Sequence, residues 1–329
     1  MLLMKILYLF LGLFTVLLLC ACTPLPHKNS LAYITNQGDN TVSVIDITQT
    51  KVMHTVKVGK GPVGVAVSKD LQRVFITNVD SSDVSVINTQ TNLVVATIKT
   101  GGSPVGIALS PNSHALYVAD WYSDRILEIS TADYSKRREV IVATAPAGLV
   151  VSPDSKTLFV AARDSNEIAV VDAASLKVTK RIAVGKHPFG LALSGDGNAL
   201  YSVNVYEKTV SIINTQTWAQ SRIKVGEHPY CAVLSTDNKT LYVTNTQDDT
   251  VSVIDLGLAN KSQPKIIATI DVGATPEGIS FDAASKQVLV ASWGENKISV
   301  INAVTNKLKT NIKTGDKSRA FGQFIMSEH

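Results

Sequence analysis

His187 and His228 each stand directly before a proline, and the residues directly after those prolines are Phe189 and Tyr230. An imidazole exchanges a proton or ligates a metal near neutral pH, and a flanking ring supplies a wall against which a small molecule can lie. Glu277 follows another proline of the same kind, Arg319 falls near the C-terminus, and Trp121, Tyr206 and Trp293 lie in polar stretches. The candidate ligand-binding set is therefore His187, His228, Tyr230, Glu277, Arg319, Trp121, Tyr206 and Trp293. As a metal site His187 and His228 are incomplete, because a stable centre generally takes three or four protein donors. Glu277 or Cys231 would have to supply the rest, so metal is a possible cofactor and no cofactor is assigned.

A reaction needs a nucleophile or an acid–base pair with partners in reach, which sequence order cannot show for distant residues. The chain contains no Gly-x-Ser-x-Gly elbow, no His-Glu-x-x-His, no phosphate-cradling glycine loop and no Cys-x-x-Cys-His. Enzyme activity stays unassigned, and binding is the better expectation.

Whether the set comes together depends on a repeat. Gly-x-x-Pro-type turns place prolines at Pro62, Pro104, Pro146, Pro188, Pro229 and Pro276, a period of about 42 residues. A second landmark keeps step: Tyr33-Ile34-Thr35-Asn36, Phe75-Ile76-Thr77-Asn78, Tyr117-Val118-Ala119-Asp120, Phe159-Val160-Ala161-Ala162, Tyr201-Ser202-Val203-Asn204, Tyr242-Val243-Thr244-Asn245 and Leu289-Val290-Ala291-Ser292. Each unit holds four short Val-, Ile- and Thr-rich segments between turn residues, as in Val63 to Ser68, Arg73 to Asn78, Asp83 to Asn88 and Val94 to Lys99, and these read as strands. Four antiparallel strands per unit and seven units predict an all-β, seven-bladed β-propeller over residues 31–329. Glycines two residues after the turn prolines (Gly64, Gly106, Gly148, Gly190, Gly278) suit an inner strand where blades crowd together. The chain starts at the second strand of a unit and ends on a lone first strand, Arg319 to Ile325. The C-terminus is thus expected to complete the N-terminal blade and close the ring.

Tyr242-Val243-Thr244-Asn245, then Asp249-Thr250-Val251-Ser252-Val253-Ile254-Asp255, with the Val-Gly-x-x-Pro turns and the terminal Ala320-Phe321-Gly322-Gln323-Phe324-Ile325, resemble the YVTN-repeat β-propeller family over about nine-tenths of the chain. The resemblance implies the fold more than a function. Relatives of this kind include periplasmic and surface binding proteins, a single-stranded-DNA binder, heme-handling proteins and, more distantly, propeller lactonases.

The turn before the first strand and the loop between the second and third should share one face and form the mouth of the central channel. Around the ring, the residue before the turn proline reads Gly61, Ser103, Ala145, His187, His228, Thr275 and Lys317, and the residue after it Val63, Val105, Ala147, Phe189, Tyr230, Glu277 and Arg319. One arc is small and apolar; the other carries the candidate set. The expectation is a single ligand site at that mouth.

Composition bounds the rest. Apolar residues at 45% against 18% charged support a folded core, and the formal charge of +4 comes from scattered cations, which disfavours nucleic acid as a partner. Residues 1–22 read as a leader: Lys5, then Ile6 to Leu19 without a charge or proline, too short to span a bilayer comfortably. Leu19-Cys20-Ala21-Cys22 resembles a bacterial lipobox with Cys22 lipidated, the alternatives being an ordinary signal peptide or an uncleaved anchor. Residues 23–30 would then be the tether, about 26 Å at most when extended. The resemblance, with Thr23 rather than aspartate after Cys22, points to the outer membrane; every alternative puts the domain in the periplasm or at the cell surface. With the leader gone Cys231 is the one unmodified thiol, so no internal disulfide is available. The expected protein is an exported, monomeric, lipid-tethered propeller that binds a small molecule or an extracytoplasmic protein. A lactonase-type hydrolase, a single-stranded nucleic-acid binder and a metal- or heme-binding propeller are the alternatives.

Overall fold

The computed structural model describes residues 30–257 and 263–327. The leader, Cys22 and most of the tether lie outside these residues, as does the middle of the Leu256 to Lys265 stretch that lengthens the sixth blade.

Seven antiparallel sheets form a seven-bladed propeller, and the described residues contain no helix. Blade 2 runs Pro62–Ser68, Arg73–Asn78, Asp83–Asn88 and Leu93–Lys99, within one residue of the boundaries expected from sequence. The inner strands Pro62–Ser68, Pro104–Leu109, Pro146–Val151, Pro188–Leu193, Pro229–Leu234 and Pro276–Asp282 follow one another around the axis, each against the next. The fourth strands are exposed on most residues, as in Lys177–Ala183 and Lys307–Lys313, and form the outer rim.

The landmark tetrapeptide explains itself in the hydrogen bonds. Its apolar members fill the space between blades: Tyr33, Ile34, Phe75, Ile76 and Val243 are fully buried. Its threonine links two blades: Thr77 Oγ1 accepts from the Gly64 amide at 2.8 Å in its own inner strand and donates to the Val105 carbonyl of the next at 2.9 Å. Thr244 does the same between Cys231 and Glu277, at 3.0 and 3.1 Å. The asparagine pins the following hairpin, Asn36 Nδ2 donating to Thr41 and Ser43 hydroxyls, both at 2.9 Å, and Asn245 Nδ2 to Thr250 and Ser252 at 3.0 and 2.9 Å.

The closing strand differs in detail from the continuous one expected. Phe321–Gln323 runs parallel to the blade 2 inner strand, Phe321 opposite Gly64, whereas Ile325–Met326 pairs antiparallel with Leu31–Asn36 of blade 1. The break falls at Phe324, and within the first of these pieces Gly322 has a φ of +97°, which favours a residue without Cβ. Both halves complete the ring, and the Tyr33 amide donates to the Phe324 carbonyl at 2.9 Å.

Two outcomes test this architecture. Thr77→Val keeps the shape but leaves the Gly64 amide and Val105 carbonyl without their bridge, so denaturant melts should show a loss of about 1–3 kcal/mol; Thr305→Val, in an exposed turn, should lose under about 0.5 kcal/mol. Deleting residues 320–329 opens the edges of blades 1 and 2, and light scattering should show aggregation that the intact chain lacks.

Candidate functional site

The sequence-derived mouth residues do share one face of the propeller. Their backbone is set by a turn common to the blades: Gly61, Ala145, His187, His228, Thr275 and Lys317 all have φ between +47° and +63°. The carbonyl at this position accepts from the loop after the second strand, as in Val205 amide to His187 oxygen at 3.1 Å and Thr246 amide to His228 oxygen at 3.0 Å. The left-handed backbone at the two histidines is therefore a property of the repeat. It is no mark of function.

Just past the turn prolines, side chains from several blades crowd together near the axis. Val63, Ala147, Phe189, Cys231 and Phe321, contributed by blades around the whole ring, belong to one buried cluster, with Val105, Trp121 and Tyr230 packed on it. Phe189 and Tyr230 stack with ring centroids 4.0 Å apart, and Phe321 lies 5.1 Å from Phe189 and 5.4 Å from Tyr230. Glu277 and Arg319 complete this plug as a two-pronged ion pair, Nε to Oε2 at 2.5 Å and Nη2 to Oε1 at 2.9 Å, with the Glu277 side chain only 7% exposed. Burial works against the Arg319 charge, yet the Glu277 hydrogen bonds hold its pKa above the usual value. Burial also pushes the Tyr230 hydroxyl far above its ordinary range, with the Glu277 charge adding to the effect.

The remaining candidates form two groups outside the plug. Tyr206 lies between the histidine rings, 4.3 Å from His187 and 5.3 Å from His228, and Arg163 sits over Trp121 at 5.5 Å and Tyr206 at 5.8 Å. The Nδ1 atoms of both histidines are buried without a hydrogen bond, that of His187 lying 3.5 Å from Asp164. Burial and then Arg163 lower the His187 pKa from 6.5, against the raising influence of Asp164. Across the face, Trp293 donates to Gln37 at 3.3 Å and lies under Lys317 and Arg319. Among the described residues no group of three or more His, Cys, Asp or Glu is arranged to hold a metal ion.

A cavity lies on the other side of the plug. It measures about 620 Å³, runs along the inner strands of blades 2 to 6, and is floored by Phe189, Cys231 and Phe321. Its entrance is ringed by the turns between first and second strands, at Ser68–Asp70, Ser110–Pro111, Gly195 and Ser235–Thr236. Of the eight predicted site residues none lines it. Sequence reasoning missed it because its walls are mostly small and aliphatic; the signal available was the column of glycines and small residues in the first strands. Ser30 and Ser327 border Leu31 and Met326, which pair at the end of blade 1 corresponding to these turns, so the chain enters and leaves the propeller on the open face.

Fold and site together define a propeller whose central channel is blocked at one end and open at the other. The chain belongs to the cytochrome D1 heme domain family, whose model matches residues 110–326. Among solved structures it is similar to Kuenenia stuttgartiensis hydrazine synthase, at 24% identity over 82% of this chain and 91% of that one, TM-score 0.73. A functionally unknown protein from Desulfotomaculum acetoxidans (14% identity, 89% and 99% coverage, TM-score 0.77) and a protein from Lactobacillus plantarum (15%, 89% and 98%, TM-score 0.75) share the architecture. At these identities the likenesses concern the fold. No curated protein matches the chain.

The plug and the histidines should respond differently to substitution. Glu277→Gln leaves the half-buried Arg319 charge without its counter-ion and should cost about 3 kcal/mol in denaturant melts. His187→Gly relieves a left-handed non-glycine residue and should be neutral or stabilising by up to about 1 kcal/mol. Because the folded His187 binds its proton less readily than the unfolded chain, its contribution is present above pH 6.5 and is lost as pH falls below that value. His187→Gly should flatten that part of the stability profile.

Proposed function

We propose that the protein is an exported binding propeller whose ligand occupies the one-ended central channel. The observation that carries this reading is the cavity: its 620 Å³ lies within the range of small-molecule pockets, and aliphatic inner strands wall it on several sides. Family membership favours a heme-type macrocycle, a flat and largely apolar body, as the class of ligand.

The cavity suits the body of such a molecule but not ligation of its iron. Heme iron is ordinarily held by His, Cys thiolate, Met or Tyr. No His, Met or Tyr lines the cavity, and Cys231 is its one sulfur donor. Burial first, and then the Glu277 charge, push the Cys231 thiol well above its usual pKa, so it keeps its proton; the thiolate is the form that ligates. His187 and His228 stand beyond the plug. No chemistry at a heme iron is assigned to these residues.

The leader supports an extracytoplasmic location. With Cys22 lipidated, residues 23–30 would join the propeller on its open face, turning the cavity toward the membrane, where lipophilic molecules concentrate. Binding, rather than catalysis, is what the apolar lining supports.

Titrating the protein with protoporphyrin tests the proposal. Gly195→Trp, at an exposed rim position where an added Cβ would meet nothing closer than 3.5 Å, narrows the open end and should weaken binding at least tenfold with the melting temperature little changed. Joint substitution of His187, His228 and Trp121 by alanine should leave the affinity within about threefold. The reverse pattern would move the ligand to the closed face.

A further inference from the structure

We infer that the channel holds the body of its ligand by shape and apolar contact, with no bond to a central metal, so that affinity for a macrocycle is independent of the metal at its centre. This inference rests on the proposed channel site and states what the site recognises.

Three observations converge on it. The inner-strand residues that line the cavity are chiefly small or aliphatic, among them Ile107, Leu149, Leu191 and Val233, whose side chains are also buried in the clusters between blades. The one potential metal donor among them, Cys231, retains its proton and stands where other blades carry glycine, as a small side chain filling the floor. Two serines of the lining are already satisfied within the protein, while Lys69, Asp70 and Gln323 are exposed. Ser110 Oγ donates to Asn112 and accepts from the Ala115 amide, and Ser235 Oγ does the same with Asp237 and Thr240. The buried polar atoms left without partners among the described residues, such as His187 Nδ1 and Ser202 Oγ, all belong to residues outside the lining.

A buried polar group aimed at a ligand would reject analogues that lack the matching atom by several orders of magnitude. An aliphatic slot discriminates by size instead, one methylene being worth only about 10- to 200-fold. The chemical class expected is thus broad: flat apolar molecules of macrocycle size, with or without a metal and with polar groups kept at the open rim. There Lys69 and Asp70 are exposed and offer either charge to a substituent.

The test is a side-by-side titration of the full-length protein with ferric heme, zinc protoporphyrin and metal-free protoporphyrin, followed by calorimetry and by the absorption spectrum of bound heme. The inference predicts dissociation constants within about threefold of one another, no spectral sign of a protein ligand on the iron, and the same near-equality among the three in Cys231→Ala, whatever the common shift in affinity that a changed floor brings. A tenfold or greater preference for ferric heme, abolished by Cys231→Ala or by joint substitution of His187 and His228, would overturn the inference while leaving a channel or closed-face heme site in place. Failure of all three macrocycles to bind protein that melts cooperatively would overturn the channel proposal itself.

Discussion

Seven inner strands crowd one axis, and that crowding sets everything else in the molecule. A Cβ on Gly106 would lie 1.9 Å from the Ala147 carbonyl oxygen, one on Gly148 2.3 Å from that of Phe189, and one on Gly278 2.2 Å from that of Ala320. Backbone meets backbone at these points, and no side chain fits between. The threonines of the landmark tetrapeptide then tie neighbouring strands through shared hydroxyls, so steric fit and hydrogen bonding act at the same contact. Because each blade is held by both neighbours, the ring has to close. The split C-terminal strand does this by pairing with blade 2 on one side and blade 1 on the other.

The same crowding makes the channel unequal at its two ends. Where the chain comes in from the turn proline, side chains from several blades crowd together near the axis, and Phe189, Tyr230, Glu277 and Arg319 are large enough to meet there. Further along each strand the glycine step and the small or aliphatic residues after it leave the axis unfilled. An arrangement that packs the entry of each inner strand leaves a cavity along its exit. The polar and aromatic groups most suggestive of chemistry belong to the plug or lie outside it, and the space large enough for a ligand is walled mostly by small and aliphatic residues.

This explains what could be read in the sequence. The blade count, the strand positions and the closure were legible because they follow from periodic features, the prolines at intervals near 42 and the tetrapeptide, that repeat for local reasons. That Glu277 and Arg319 share a face was legible from their equivalent positions; that they pair with each other, and that Tyr230 is buried beside them, was not, since those contacts run between blades. The cavity left no mark of its own. Its walls are made of the same Gly, Ala, Val and Leu that any propeller needs near its axis, and only the large residues after Pro188 and Pro229 reveal, in three dimensions, which end is shut. Residue types flag polar sites well because polar groups stand out from the repeat; an apolar slot is continuous with it.

Hydrogen–deuterium exchange with and without bound protoporphyrin tests most directly whether the open channel is the site. The account predicts slowed exchange in the inner strands and turns around residues 107–111, 149–152, 191–195 and 233–237, with the loops at 121–122, 163–164, 205–206 and 293–294 unchanged. Protection confined to those loops would place the ligand among His187, Tyr206 and Trp121 on the sealed face, and would contradict the account.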